Sequence, residues 1–157
     1  MIMDSRVEFA DAVSVAAAAG TALIGNQIDL TTARDLGNGG TLYLAITTDT
    51  EIITGGVAGT VQFQLVSDDT AAIATNGTAS VHFSTKAFVT GNAASNDPQL
   101  NVGGVIAMVE LPMEGVVYER FLGILAITAT TTTTAGKINA FLTRDPRGWK
   151  SYADAVN

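Results

Sequence analysis

Apolar and polar residues alternate in run after run along this chain, and β-branched side chains fill most of the runs. A period of two marks strands with one buried face. In the first run Val7, Phe9, Val13 and Val15 share one parity, with Glu8, Ala10, Ala12 and Ser14 on the other. Further strands are predicted over 23–30, over 42–48 with Leu42, Leu44 and Ile46 inward, and over 61–67 with Val61, Phe63 and Leu65 inward. The run 80–88 sets Val81 and Phe83 against His82, and a polar stretch with the turn signal Asn96, Asp97, Pro98 follows it. The last runs are 102–111, 118–129 and 137–144. Ala is the best helix former, so 16–19 leave room for a short helix; no other segment has a helical period, which disfavours α/β folds.

About eight strands at spacings of roughly 10 to 20 residues predict an all-β, antiparallel jelly roll or β-sandwich. Runs 102–111 and 118–129 are apolar at consecutive positions, as in Val105, Ile106, Met108, Val109 and in Phe121, Leu122, Ile124, Leu125, Ile127. Such strands are covered on both faces, which in an antiparallel protein implies a sandwich centre or a subunit interface, and one of the two is expected to pack against another chain. The 157 residues suit one domain, with 1–20 as N-terminal arm and first strand and 145–157 as a C-terminal tail. A chain of this size buries about 70% of its unfolded surface, enough to fold without disulfide or structural metal.

Composition then narrows the function. With no Cys, thiolate metal sites, Cys nucleophiles and redox switches are excluded. Fifteen acidic residues stand against eight basic ones, a net charge of -7, which argues against nucleic acid and anionic membranes. No apolar run reaches the roughly 18 residues of a membrane span. Asp4 and Glu8 stand where a signal peptide would carry its apolar stretch, so the expected location is a cytoplasm or a particle assembled there. Ala, Thr and Gly make up 61 of the 157 residues and only 15% of the chain is charged. Independent domains usually carry about 25% charge, and so neutral a surface suits burial against partners.

Catalytic groupings are thin. His82, the sole imidazole, lies in a strand run with Ser80 and Ser84 on its face, and no Gly-x-Ser-x-Gly elbow is present. The acidic pairs Asp68/Asp69 and Asp49/Glu51 fall in expected turns, where water keeps them ionised. Were those four carboxylates to meet at one end of a sandwich they would suit calcium, although no EF-hand spacing is present. Gly37, Asn38, Gly39 and Gly40 precede a strand and read as a turn, not a phosphate loop. No catalytic, cofactor or metal residues are assigned, and the protein is expected not to be an enzyme. The tail combines Arg147 and the single Trp149 with Tyr152, residue types enriched at binding hot spots. Ile2, Arg6 and Phe9 of the arm and Arg147, Trp149 and Tyr152 of the tail are therefore the expected partner contacts.

Four stretches taken in order, MIMDSRVEFADAVSV, NQIDLTTARDLGNGGTLYLAITTD, ELPMEGVVYERFLGILAIT and TAGKINAFLTRDP, give the chain a resemblance to a known group. It resembles the small jelly-roll cement, or decoration, proteins of tailed bacteriophage capsids, such as the one beside the major capsid protein in Bordetella phage. The likeness falls on Asp4, on 28–30, 34–37 and 42–44, on Leu111 and Pro112, and on 120–122 and 135–138. It implies a virion protein on the outside of the head that bridges major capsid subunits, as a homodimer on local two-fold axes. Docking by the tail is read from its own residues and not from the resemblance. A different reading of the same β-sandwich is a carbohydrate-binding module on a phage or cell surface, which would need exposed aromatics for sugar rings.

Overall fold

The computed structural model describes residues 5–33, 36, 40–92, 94–111 and 117–146. Its strands are β1 (Glu8–Ser14), β2 (Gly20–Asp29), β3 (Tyr43–Ile53), β4 (Gly59–Asp68), β5 (Ser80–Ser84), β6 (Phe88–Thr90), β7 (Val105–Glu110), β8 (Phe121–Ala129) and β9 (Ala135–Thr143). They form two antiparallel sheets, ordered β1-β9-β3-β7 and β2-β8-β4-β5, with β6 also paired to β4. Because β5 and β6 lie end to end along β4, they act as one interrupted strand, leaving four strands per sheet. With β5 and β6 counted as one, the chain changes sheets at every connection except the one from β4 to β5. That winding is a jelly roll, as the spacing of the runs predicted.

The inward residues follow the period of two. Leu44, Ile46 and Ile52 of β3 and Ile138, Ala140 and Leu142 of β9 meet Val61, Phe63 and Leu65 of β4 and Leu122, Ile124 and Ala126 of β8 in one core. The consecutive apolar residues of β8 need no second chain. Its outward residues Leu125 and Phe121 pack with Val66, Leu23 and the buried Ile73 and Ala79, so the 69–79 connection folds over that face. Gly123 leaves the room for this, since a Cβ there would lie 2.5 Å from the Ile73 Cδ1. β7 instead lies at a sheet edge, with Val105 48% exposed.

Three expected elements differ in detail. Residues 16–19 form no helix: Ala17 and Thr133 make an isolated bridge, each donating its backbone N–H to the other's carbonyl. Four residues are too few to nucleate a helix against that competing pairing. The 80–88 run breaks because the Thr85 hydroxyl accepts the Phe63 N–H at 3.0 Å, replacing a ladder carbonyl by a side chain. β7 starts at Val105 and not at residue 102, because Pro98–Leu100 forms a 3-10 turn and the Gly103 N–H donates to the Thr48 carbonyl.

Candidate functional site

The polar residues of β4, β5 and the β7–β8 connection converge at the end of the sandwich where β4 finishes. Ser67 pairs with Ser80 in the ladder, and His82 is the extra residue of the bulge between the pairs Leu65/Phe83 and Val66/Val81. The His82 Nε2 lies 2.7 Å from the Ser67 Oγ, and the imidazole stacks on Tyr118 at 3.9 Å between ring centroids. The Ser67 Oγ also accepts the Glu119 N–H at 3.0 Å, while the Ser80 hydroxyl donates to the Glu119 Oε1 at 2.8 Å. Burial pushes the Tyr118 hydroxyl up to about 12.

A serine beside an imidazole is the first requirement of a nucleophile and base, but the second is access to a substrate. Ser67 is 0% exposed and its oxygen is already engaged from both sides. This geometry pins the β7–β8 connection to the sheet. Ser80 and Ser84, placed beside His82 by the sequence pattern, bond elsewhere: Ser84 accepts from Gln62 and Gln64. Ser67 and Tyr118 carried no sequence signal, being a serine of inward parity and a tyrosine at a strand entrance.

Charge gathers at the same end. The Arg120 guanidinium donates twice to the Asp29 carboxylate, at 2.9 and 2.8 Å, and lies 4.8 Å from the Phe121 ring centroid. The Arg120 hydrogen bond, then the Thr31 amide, hold the Asp29 carboxyl down to about 2. Asp68 accepts the amides of Ala74 and Thr70 and is also lowered, so it caps its own connection. The four carboxylates considered for calcium do not meet: Asp68 ends β4 and Asp69 follows it, whereas Asp49 and Glu51 lie in β3 towards the opposite end. Among the described residues no group of three or more His, Asp or Glu is placed to hold a metal.

At the β1–β2 corner a cleft of about 300 Å³ is lined by Glu8, Phe9, Ala10, Asp11, Val13 and Asn26. Partial burial, with the nearby Asp11 carboxylate, raises the Glu8 pKa.

Of the expected contacts, Arg6 is exposed in the turn Ser5–Val7. Phe9 is corrected: at 0% exposure it belongs to the chain's own core and has no surface to offer a partner. Ile2, Arg147, Trp149 and Tyr152 lie outside the described residues. The described ends nevertheless fall together, because β1 begins beside the end of β9, with Glu8 opposite Phe141. Among the described residues every aromatic side chain is buried or half-buried.

The structure is thus an antiparallel jelly roll in which Ser67, Ser80 and Asp68 hold the protein's own connections. The model of the Bbp16 family, a Bordetella phage protein family, matches residues 9–142, and the chain belongs to that family. It is therefore a phage-associated protein. No curated protein matches the chain.

Proposed function

We propose that this protein is a non-enzymatic capsid cement protein, bound to the outside of a phage head, where it bridges neighbouring major capsid subunits. Membership of a phage family over residues 9–142, in a jelly roll, is the observation that carries the reading. Capsid contact is assigned to the end where β1 begins and β9 finishes, because both expected contact segments, the one with Arg6 and the one after Pro146, connect there. A bridge that touches two subunits gains effective concentration at its second footing, so individually weak contacts hold on a repetitive lattice. Small Ala, Gly and Thr side chains lose little rotamer entropy when laid against a partner. Self-association as a homodimer belongs to the same reading. The carbohydrate-binding alternative gains no support from the described aromatics, all of which are buried or half-buried.

The test is co-sedimentation of the purified full chain with mature heads and, separately, with unassembled capsid subunits. Pelleting with heads alone is expected, and a chain lacking residues 146–157 should pellet less while unfolding at nearly the same temperature. Failure of the full chain to pellet overturns the reading. An equal loss of unfolding temperature would make those residues part of the core.

A further inference from the structure

The end of the sandwich opposite the charged one is built from four connections: 16–19 between β1 and β2, 54–58 between β3 and β4, the segment after β6, and 130–134 between β8 and β9. Far apart in sequence, they touch one another. Ala17 bridges Thr133, and the Thr134 N–H donates to the Ile53 carbonyl at 2.8 Å. The Thr54 and Gly56 N–H groups both donate to the Gly91 carbonyl, at 3.1 and 2.9 Å. A Cβ on Gly59 would meet Thr131 and Thr54 side chains, which closes the ring of loops.

None of the residues 16–19, 54–58, 91–92, 94–96 and 130–134 is charged. The same neutrality continues onto the outer face of the five-stranded sheet. There the rows Ala129–Thr60–Val89, Thr21–Ile127–Gln62 and Leu23–Leu125–Gln64–Ser84 precede the first charged row, Asp29–Phe121–Asp68. Val57 at the tip is 59% exposed and Val89 beside it 48%. Charged groups stand at the rim of this end: the Glu51 carboxylate accepts from Asn96, the Asp49 carboxylate accepts from the Thr50 hydroxyl, Lys86 pairs with Asp97 at 3.0 Å, and Lys137 lies opposite Ser14 and Thr50 on the neighbouring strands. Arg6, Glu8, Asp29, Asp68, Asp69, Glu110, Glu119, Arg120, Arg144 and Asp145 all lie towards the other end.

We propose that this uncharged end is the face through which two copies of the chain associate. The inference deepens the self-association in the proposed function and gives it a place. A copy with a net charge of -7 repels its twin wherever charged surfaces face each other. At this end a two-fold pairing sets the uncharged connections against themselves and buries Val57 and Val89, with the already paired Lys86 and Asp97 at its margin. Specific interfaces take about 800 Å² from each partner, on the order of 20 residues, and the four connections supply about that many. Pairing here points the charged end of each copy, where β1 begins, away from its twin, which is the geometry a two-footed bridge needs.

Sedimentation equilibrium of the full chain tests this. A particle of twice 16.1 kDa is expected, and the dimer should tighten as salt rises from about 0.02 to 0.3 M, because salt screens the repulsion between the remaining charges. Val57→Asp combined with Thr132→Asp should weaken it at least tenfold with unfolding temperature unchanged. Val117→Asp, at a side chain also 59% exposed but next to Tyr118 at the charged end, should leave the dimer intact. Should the double variant fail to fold, Thr132→Cys in this cysteine-free chain should cross-link through a short bis-maleimide, and Val117→Cys should not. A monomer at tens of micromolar, weakening with salt, or equal sensitivity at Val57 and Val117 overturns the inference. Heads that bind a monomer contradict self-association and its place but leave the capsid bridge standing, whereas a dimer that ignores heads contradicts the capsid bridge alone.

Discussion

At Gly25 the two sheets come so close that the missing side chain is part of the packing: a Cβ there would stand 2.0 Å from the Phe9 carbonyl oxygen, at a φ of +67°. Gly25 opens the bulge of β2 between Ile24 and Ile28, and β1 answers with its own irregularity between Ala10 and Val13. Ala12 adopts a φ of 48° there, and its N–H is satisfied by the Asn139 Oδ1 at 2.6 Å. Gly25→Ala therefore forces backbone against backbone and should cost about 3 kcal/mol, on the order of 10 °C in Tm at this chain length. Gly77→Ala, at a similarly left-handed φ but with nothing within 4 Å, should cost only about 1 kcal/mol. Equal losses in chemical denaturation would show that conformation, not contact, sets the price at Gly25. Phe9 is the residue at which sequence reading contradicted itself. Its parity put it with Val13 and Val15 on the inward face, yet its place near the N-terminus suggested a partner contact. The inward parity prevails, with Phe9 at 0% and Val15 at 1% exposure.

Strands were legible wherever one face is buried, since alternation then has a physical cause. β3, β4 and β9 fall within a few residues or so of their predicted starts, although β3 runs on to Ile53 through polar Thr48, Asp49 and Thr50. Less legible was cover supplied from within the chain. The apolar run of β8 looked like a second-chain interface because nothing in 69–79 announces that Ile73 will return onto Gly123 and Leu125. The clasp of β2 to β8 by Asp29 and Arg120 was equally invisible, being a contact across 91 positions. That clasp has a pH signature. Asp29 falls from its ordinary 3.8 to about 2 on folding, so its contribution to stability is complete above pH 4 and is lost as pH drops through about 2. Asp29→Asn should unfold with a flatter pH dependence between those values, followed by thermal melts at fixed salt. An unchanged acid slope would mean that the clasp contributes nothing to folding.

Among the described residues the jelly roll gathers uncharged connections rich in Ala, Gly and Thr at one end, with Asp49, Glu51, Lys86, Asp97 and Lys137 around its rim, and most of the other charges towards the opposite end. The neutrality of the composition was plain from the sequence, but its location was not: the four connections that make the neutral end are separated by as much as the span from Ala16 to Thr134. Only the winding of the strands brings them together. The buried Ser67 beside His82 was hidden for the same reason, since the two are joined by register across β4 and β5. In the proposed bridge the two ends serve different contacts, the charged one a head subunit and the uncharged one a second copy. The measurement that bears most directly on this account is an electron cryo-microscopy reconstruction of the intact particle whose genome encodes the chain. The account predicts this sandwich on the outer surface of the head, across the junction of neighbouring capsid subunits, with its charged end down. Density for it inside the shell or in the tail, or a complete particle without it, would contradict the account.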